Sequence, residues 1–386
     1  MEKPLAIVVG AGIAGLAAAW WLDKAGWQSV VVERAATFRA GGYTLSIAGL
    51  GYETIQHMNL LDDLKSVAHA YESNIISDNN GKELCRIRYA DVYGGLEALA
   101  VRRDGVARTL AKVLGSSIRF NETVSSFTDR GDKIRAVLAG GDVIEADLLI
   151  GADGFRSKIR QQLFEDAGHS HLEPLGYYYA AYNFETRPEN KENCYSFNSP
   201  GHLDMLFTAQ AQGMTGMHIW REDRCLSTET SRDRFDILRE ITAKSVSQVR
   251  EAVERAEKAE AFVNMDSLTL VTLPKWSKGR VVLLGDAAHC LTLLSGQGAG
   301  MALTSAEILG KELQKTTDVL QALRNHEAKL RPTIERLQAR SRKMARWYIP
   351  KSAISYHSRN FLLKLLPYSW IVAFHVDSLR SEIELT

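Results

Sequence analysis

The chain has 386 residues, of which 45% are hydrophobic and 24% charged, and its formal net charge is +1. This length suits two or more domains around packed cores, and the near-neutral balance excludes a protein built to hold a polyanion, so no nucleic-acid partner is expected. The four cysteines, Cys85, Cys194, Cys225 and Cys290, are scattered without a CxxC pair, which argues against a disulfide framework and against a metal site.

The start, Met1-Glu-Lys-Pro, leads directly into a strand and lacks a signal-peptide layout, so a cytoplasmic protein is expected. Residues 5–33 read strand–helix–strand. Leu5-Ala-Ile-Val-Val9 is the Val/Ile/Leu run of a buried parallel strand. Gly10, Gly12 and Gly15 follow in GxGxxG spacing, with Ala14 inside the turn. Gly10 permits the tight turn, Gly12 lets the backbone approach a pyrophosphate, and Gly15 lets the helix pack close to the strand. The helix then points free N–H groups and a positive dipole end at the phosphates. Glu33 ends the second apolar run, Val30-Val-Val32, roughly 20 residues beyond the glycines, where an acid accepts hydrogen bonds from a ribose. This motif alone does not separate FAD from NAD.

Residues 101–114 carry apolar side chains at helical spacing. Residues 118–150 read as short strands around Gly131, Gly140 and Gly141. They end in a second buried strand and turn, Asp147-Leu-Leu-Ile-Gly-Ala-Asp-Gly154. Asp153 and Gly154 stand where a carboxylate and a glycine backbone can meet a cofactor. The same pair also suits a turn that opens a helix at Ser157. Residues 173–222 are aromatic-rich strands with turn residues between them, which suggests a separate antiparallel sheet. Tyr177, Tyr179, Phe207, His218 and Trp220 are candidates to line a substrate pocket there, although aromatics in strands commonly serve the core. Residues 231–259 read as charged helices.

The third motif is Arg280-Val-Val-Leu-Leu-Gly-Asp-Ala-Ala-His289, another strand and glycine turn at Gly285. Asp286 is placed to accept from a ribityl hydroxyl. Gly296, Gln297 and Gly298 precede a helix over Met301–Leu313, whose N-terminus stabilises negative charge such as that on the N1–C2=O edge of a reduced flavin. His289 stands beside this loop, where it either touches substrate or nicotinamide or is a hydrogen-bonded structural residue, the commoner case. In this order and spacing the three motifs point to FAD. From about residue 301 the chain reads as mostly helical. Residues 324–346 hold eight basic residues against two acidic ones, and Phe361–His375 is markedly apolar. A basic helix beside an apolar one can attach to a membrane surface. Pro367 interrupts the segment, however, and the charges form no single stripe, so a solvated face and a closing helix are expected, without membrane contact.

The three motifs resemble those of the FAD-dependent aromatic hydroxylases, the p-hydroxybenzoate hydroxylase-like flavin monooxygenases. Within that group the wording is most similar to the tetracycline-inactivating monooxygenases. The likeness is strong over residues 1–50, 100–160 and 274–315. The Ala40-Gly-Gly-Tyr-Thr-Leu-Ser-Ile47 segment, with Gly42, resembles the family loop that approaches the flavin ring, and Arg34 and Arg103 match cofactor-contacting arginines. The resemblance implies an α/β fold. A Rossmann-like FAD-binding domain (residues 1–72, 100–172 and 273–325) would interleave with a substrate domain (73–99 and 173–272) containing an antiparallel β-sheet, followed by a C-terminal helical region (326–386). It further implies a monomer with non-covalent FAD and with NAD(P)H as co-substrate. Such an enzyme would hydroxylate an aromatic or polycyclic molecule with O₂ through a flavin C4a-hydroperoxide. Tetracycline inactivation and natural-product tailoring both fit, and an isoprenoid-reductase-like flavoprotein that need not use O₂ shares the first and third motifs. Two departures stand out: Leu291-Thr-Leu-Leu-Ser295 lacks the family's proline, and Ala299-Gly300 replaces a frequent asparagine.

Overall fold

A computed structural model of the chain describes residues 3–38, 43–92, 97–115, 117–164, 171–185, 193–209, 213–224, 226 and 230–380. Gly42 and Cys225 lie outside the described residues.

The apolar runs read from the sequence form the centre of a six-stranded sheet. Its order is Ser277–Lys278, Val281–Leu283, Leu148–Gly151, Leu5–Val9, Gln28–Glu33 and Ile118–Phe120. All neighbours run parallel except the edge pair Ser277–Lys278 with Val281–Leu283. The middle strands are Val/Ile/Leu-rich because both faces are covered: Ile7, Val8, Leu149, Ile150, Val282 and Leu283 are fully buried. Register then does the decisive thing. Val9 pairs with Gly151, and Gly151 pairs with Leu283, so three motifs far apart in sequence end side by side at the carboxyl edge of one sheet. Ligands of open α/β sheets bind at that edge.

Helix Ile13–Lys24 follows the first turn and is buried almost all round, since helix Gly298–Lys315 packs along it. Small residues allow close approach both within the turn and between the helices. A Cβ on Gly15 would lie 1.9 Å from the Gly10 carbonyl oxygen, and one on Gly310 would lie 2.7 Å from the Trp21 Cβ. Helix Leu50–His57 crosses Gly298–Lys315 where Gly51 faces Gly300, with a Cβ on Gly51 only 2.4 Å from the Gly300 Cα. That contact explains why the last helix of the cofactor region begins at Gly298 rather than at Met301: its first turn is packed, and packing overrides the low helix propensity of glycine.

The aromatic strands form a separate seven-stranded sheet. Its order is Asn264–Val271, Leu172–Phe184, Gly213–Arg221, His202–Ala209, Asn193–Ser199, Ser73–Ser77 and Glu83–Arg88. It is antiparallel except where Ser73–Ser77 meets Asn193–Ser199. Helices Ser231–Thr242 and Ser247–Lys258 cover one face. The other face looks toward the loop Leu291–Ser295 and the long helix Val319–Tyr348. Two further small antiparallel sheets are present among the described residues, one of them Thr44–Ala48, Ala98–Arg102 and Ala68–His69. Residues 101 and 102 therefore belong to a strand, and the helix expected from 101 begins at Arg103 and ends at Lys112. The charged stretch 231–259 forms two helices, and the C-terminal part is helical over Ala353–Leu365 and Tyr368–Arg380.

The second and third glycines of the first turn should separate on substitution. Gly15→Ala drives a methyl into the Gly10 carbonyl and should lower stability by about 3 kcal/mol. A Cβ on Gly12 meets no described atom within 4 Å, so Gly12→Ala should stay within about 0.5 kcal/mol. Urea unfolding of both variants checks this, and equal losses would show that the turn is not packed as described.

Candidate functional site

The glycines at the strand ends divide into two groups. Gly10 turns with φ +106°, donates its N–H to the Val32 carbonyl at 2.8 Å and packs on Ala152, whose oxygen a Cβ would meet at 2.5 Å. Gly285 turns with φ +58° against Ala14, 2.8 Å from where a Cβ would stand. These positions join one motif to the next. At Gly12, Gly154, Gly296 and Gly298 a Cβ would meet no atom of the described residues within 4 Å. Their backbones face open space, and helices Ile13–Lys24 and Gly298–Lys315 begin beside it.

Around this space stand Tyr43, Arg103, Tyr179, Asp286 and Cys290, all within electrostatic reach of Arg103. Arg103 is exposed, and Tyr43, Tyr179 and Asp286 are half-exposed, although protein surrounds all four. Side chains that are enclosed yet accessible line an interior hollow. For the Arg103 guanidinium burial works downward, but the facing Tyr43, Asp286, Tyr179 and Cys290 outweigh it and its pKa is raised. Burial raises the Asp286 carboxyl, with Arg103 and the Cys290 thiol opposing. Burial and then Asp286 push the Cys290 thiol well above its ordinary value, so it is not a thiolate nucleophile.

The other sequence candidates fall where local hydrogen bonds put them. The Glu33 carboxylate accepts from the Ala11 N–H at 2.8 Å and the Ala35 N–H at 2.9 Å. It ties the glycine turn to the end of the second strand and keeps acceptor capacity for a hydroxyl. Arg34, next to it, is exposed. Asp153 turns away into the following helix. Its carboxylate accepts from the Ser157 hydroxyl at 2.5 Å and from the N–H groups of Lys158 and Ile159 at 2.8 and 3.2 Å. The helix-opening reading thus describes its side chain. Gln297 is buried, and its N–H donates to the Ser295 hydroxyl at 3.2 Å.

The five candidates on the seven-stranded sheet separate onto two faces. Tyr177, Tyr179 and Phe207 share a cluster with Tyr43, Leu293 and Leu294, on the side of the hollow. Tyr43 and Tyr179 meet edge to face with centroids 6.1 Å apart, and Tyr71 meets Phe207 at 5.7 Å. His218 and Trp220 are corrected: strand alternation turns both to the helix-covered face. Trp220 packs with Phe235 and Leu238 there. His218 Nδ1 bonds Asp204 at 2.7 Å, and its Nε2 lies 3.0 Å from the Tyr182 hydroxyl. His202 and Ser245 complete the Asp204 shell at 2.6 Å each, a closed network beneath those helices.

His289 is likewise corrected as a catalytic candidate. It is buried against Trp276, centroids 4.8 Å apart, on the side of the long helix, and its Nε2 has no hydrogen-bond partner among the described residues. Burial, then His326, lowers its pKa to about 3, and burial lowers that of His326 to about 4. Two site residues escaped the site assignments made from sequence: Tyr43, directly after the loop glycines, and Cys290, directly after the third motif. Adjacency to those motifs was the available signal.

Comparison with known proteins agrees with this geometry. The model of the FAD binding domain family matches residues 4–337, and the chain belongs to that family. It is 26% identical to the FAD-dependent monooxygenase asL4 of Sarocladium schorii, over 95% of this chain and 93% of that protein. It is 27% identical to a flavin-dependent monooxygenase of Legionella longbeachae, over 81% and 82%. The fold matches the tetracycline destructase Tet(55) with a TM-score of 0.82 at 22% identity, over 100% of this chain and 98% of that one. It matches Klebsiella pneumoniae HpxO, solved with FAD and uric acid, with a TM-score of 0.84 at 22% identity, over 98% and 97%. The open backbones at Gly12, Gly154, Gly296 and Gly298 and the hollow beside Arg103 and Asp286 fit FAD.

Two predictions follow from these placements. Glu33→Ala and Asp286→Ala should each weaken FAD binding about tenfold or more, the loss of a charge-assisted hydrogen bond. Flavin titration of the stripped protein measures it, with urea unfolding reading the turn-holding part of Glu33. The second concerns acid. His289 and His326 have lowered folded pKa values, so below pH 6.5 the unfolded chain takes up protons that the native chain refuses. Stability should fall as pH drops from 6.5 toward 4, by at most about 1.4 kcal/mol per unit for each group. His289→Asn should flatten that slope, and an unchanged slope would remove His289 as its source.

Proposed function

We propose that this FAD-binding-family member is an NAD(P)H-dependent monooxygenase that hydroxylates a polycyclic or phenolic small molecule. The observation that carries the reading is the hollow itself. It lies between the strand ends of the six-stranded sheet and the aromatic face of the second sheet, formed by Tyr177, Tyr179 and Phe207, with Tyr43 packed on Tyr179. FAD, when bound, supplies hydride acceptance from the nicotinamide and activation of O₂.

The chain's residues bind, orient and exclude water. The Gly10–Gly15 turn and the N-terminus of Ile13–Lys24 take the pyrophosphate, and Glu33 takes the ribose. Asp286 would accept from the ribityl chain. The Gly296–Gly298 amides and the start of Gly298–Lys315 favour negative charge at the ring's N1–C2=O edge. Arg103 adds a fixed positive charge to the same space. The aromatic wall presents flat apolar surface to a flat substrate, with the Tyr43 and Tyr179 hydroxyls as its polar points. Burial raises both phenol pKa values, so both remain donors at neutral pH. His289 faces away and the Cys290 thiol stays protonated, which supports non-covalent attachment.

The test is NAD(P)H oxidation followed with an oxygen electrode across aromatic compounds, tetracyclines included. The expected result is O₂ uptake stimulated by a substrate that gains one oxygen atom. NAD(P)H oxidation that reduces a substrate double bond without O₂ would favour the isoprenoid-reductase-like alternative. Gly298→Val should leave melting unchanged, since its Cβ points into open space, yet lower flavin retention and substrate oxygenation at least tenfold. Unchanged turnover would remove the Gly296–Gly298 loop from the site.

A further inference from the structure

Helix Ala353–Leu365 is amphipathic the wrong way round. The stripe it turns to the protein is polar: Arg359 and Asn360 are each 7% exposed. Tyr356, also buried, donates its hydroxyl to the Asn198 carbonyl at 2.9 Å, and Arg359 donates to the Tyr348 carbonyl at 2.9 Å. The stripe it turns outward is apolar, with Ile354 80%, Phe361 63% and Leu365 63% exposed. The next helix, Tyr368–Arg380, buries Ile371 against Ile87 and Val92 and leaves Trp370 64% exposed. Seven of the eleven large apolar side chains that the described residues expose fall between Trp347 and Trp370. Soluble surfaces scatter such residues singly, and a contiguous patch marks a surface that something else covers.

Charge identifies what covers it. From Arg336 to Val376 the chain has eight Lys and Arg residues and no Asp or Glu, although the whole protein is near neutral. Lys343 and Arg346 at the end of the preceding helix, and Lys351 and Lys364 beside and within Ala353–Leu365, are exposed. The acids on the segments against which these helices pack are paired: Glu83 with Arg86, and Asp91 with Arg88 and the Tyr368 hydroxyl. A second copy of this chain is a poor occupant, because a two-fold interface would bring the two cationic patches together. An apolar, aromatic-bearing stripe rimmed by lysine and arginine matches the boundary of an anionic bilayer, where acyl chains receive Phe, Leu and Trp while headgroups receive the cations. No helix among the described residues is long and apolar enough to cross a membrane, so the contact is with one leaflet.

We propose that Ala353–Leu365 and the start of Tyr368–Arg380 seat the protein on an anionic lipid surface. This does not depend on the proposed reaction. The experiment is co-sedimentation of the purified flavin-bound protein with vesicles of phosphatidylcholine alone or mixed with phosphatidylglycerol. Binding to the mixed vesicles is expected, weakened by salt. The double variant Lys351→Glu/Lys364→Glu should lower partitioning about tenfold or more, from about 1 kcal/mol per basic residue at the surface. Phe361→Ser/Leu365→Ser should lower it similarly. Flavin content and melting temperature should not change in either variant, because all four side chains are exposed. Absence of binding to the mixed vesicles overturns the proposal. So does binding that ignores vesicle charge and both variants, and so does light scattering that shows a dimer dissociated by Phe361→Ser/Leu365→Ser.

Discussion

The structure depends on backbone meeting backbone where no side chain fits. The Gly10 turn rests on Ala152 and accepts the approach of Gly15, Gly285 turns against Ala14, and Gly51 crosses Gly300. Each contact removes the volume of one Cβ and would fail with any other residue. Together they draw the strands ending at Val9, Gly151 and Leu283 and the helices that follow into one compact edge. Glycine costs conformational entropy on folding, and here that cost secures an approach no larger residue allows. The remaining motif glycines, at 12, 154, 296 and 298, do the opposite: they leave space open. One motif vocabulary therefore carries two physical jobs, closing the scaffold and keeping the cradle clear.

Electrostatics completes what packing leaves. A hollow walled by protein is a poor solvent for charge, so a lone guanidinium or carboxylate there would be costly. Arg103 and Asp286 offset one another, with the dipolar hydroxyls of Tyr43 and Tyr179 on the same wall. The arrangement holds both signs of charge in place before any ligand arrives, so little reorganisation remains at binding. Its mixed character also suits a cofactor with a polar ribityl chain and an apolar ring face.

The strand–turn–helix pattern of the cofactor region was legible because its signals are local. Apolar runs, glycines at fixed offsets and an acid at the right distance report on a few neighbouring residues. What the sequence hid was direction. Alternation says that Tyr179 and Trp220 alternate with their neighbours, but not which face meets the hollow. The decision belongs to the helices Ser231–Thr242 and Ser247–Lys258, which claim Trp220 and His218. His289 ends the short helix Asp286–His289 and Cys290 is the first residue outside it, and this is enough to send one to Trp276 and the other to Asp286. Asp153 was ambiguous for a different reason: two nearby N–H groups and a serine hydroxyl compete for the same carboxylate, and the nearer donors hold it.

The C-terminal helices show the same limit in reverse. Composition marked the segment as basic and apolar, and Pro367 argued for an interruption: one helix ends at Leu365 and another begins at Tyr368. Periodicity reveals that a helix has two faces without saying on which side the protein lies. The usual assumption puts the apolar face inward. Here the carbonyls at the end of Val319–Tyr348 lack intrahelical partners, and Arg359 satisfies the Trp347 and Tyr348 oxygens. Tyr356 likewise bridges the Asn198 carbonyl and the Asn79 N–H. Those polar demands fix the rotation of Ala353–Leu365 about its axis, and the outward placement of Ile354, Phe361 and Leu365 is the geometric consequence. An outward apolar stripe loses hydrophobic stabilisation in water, and a lipid surface would restore it.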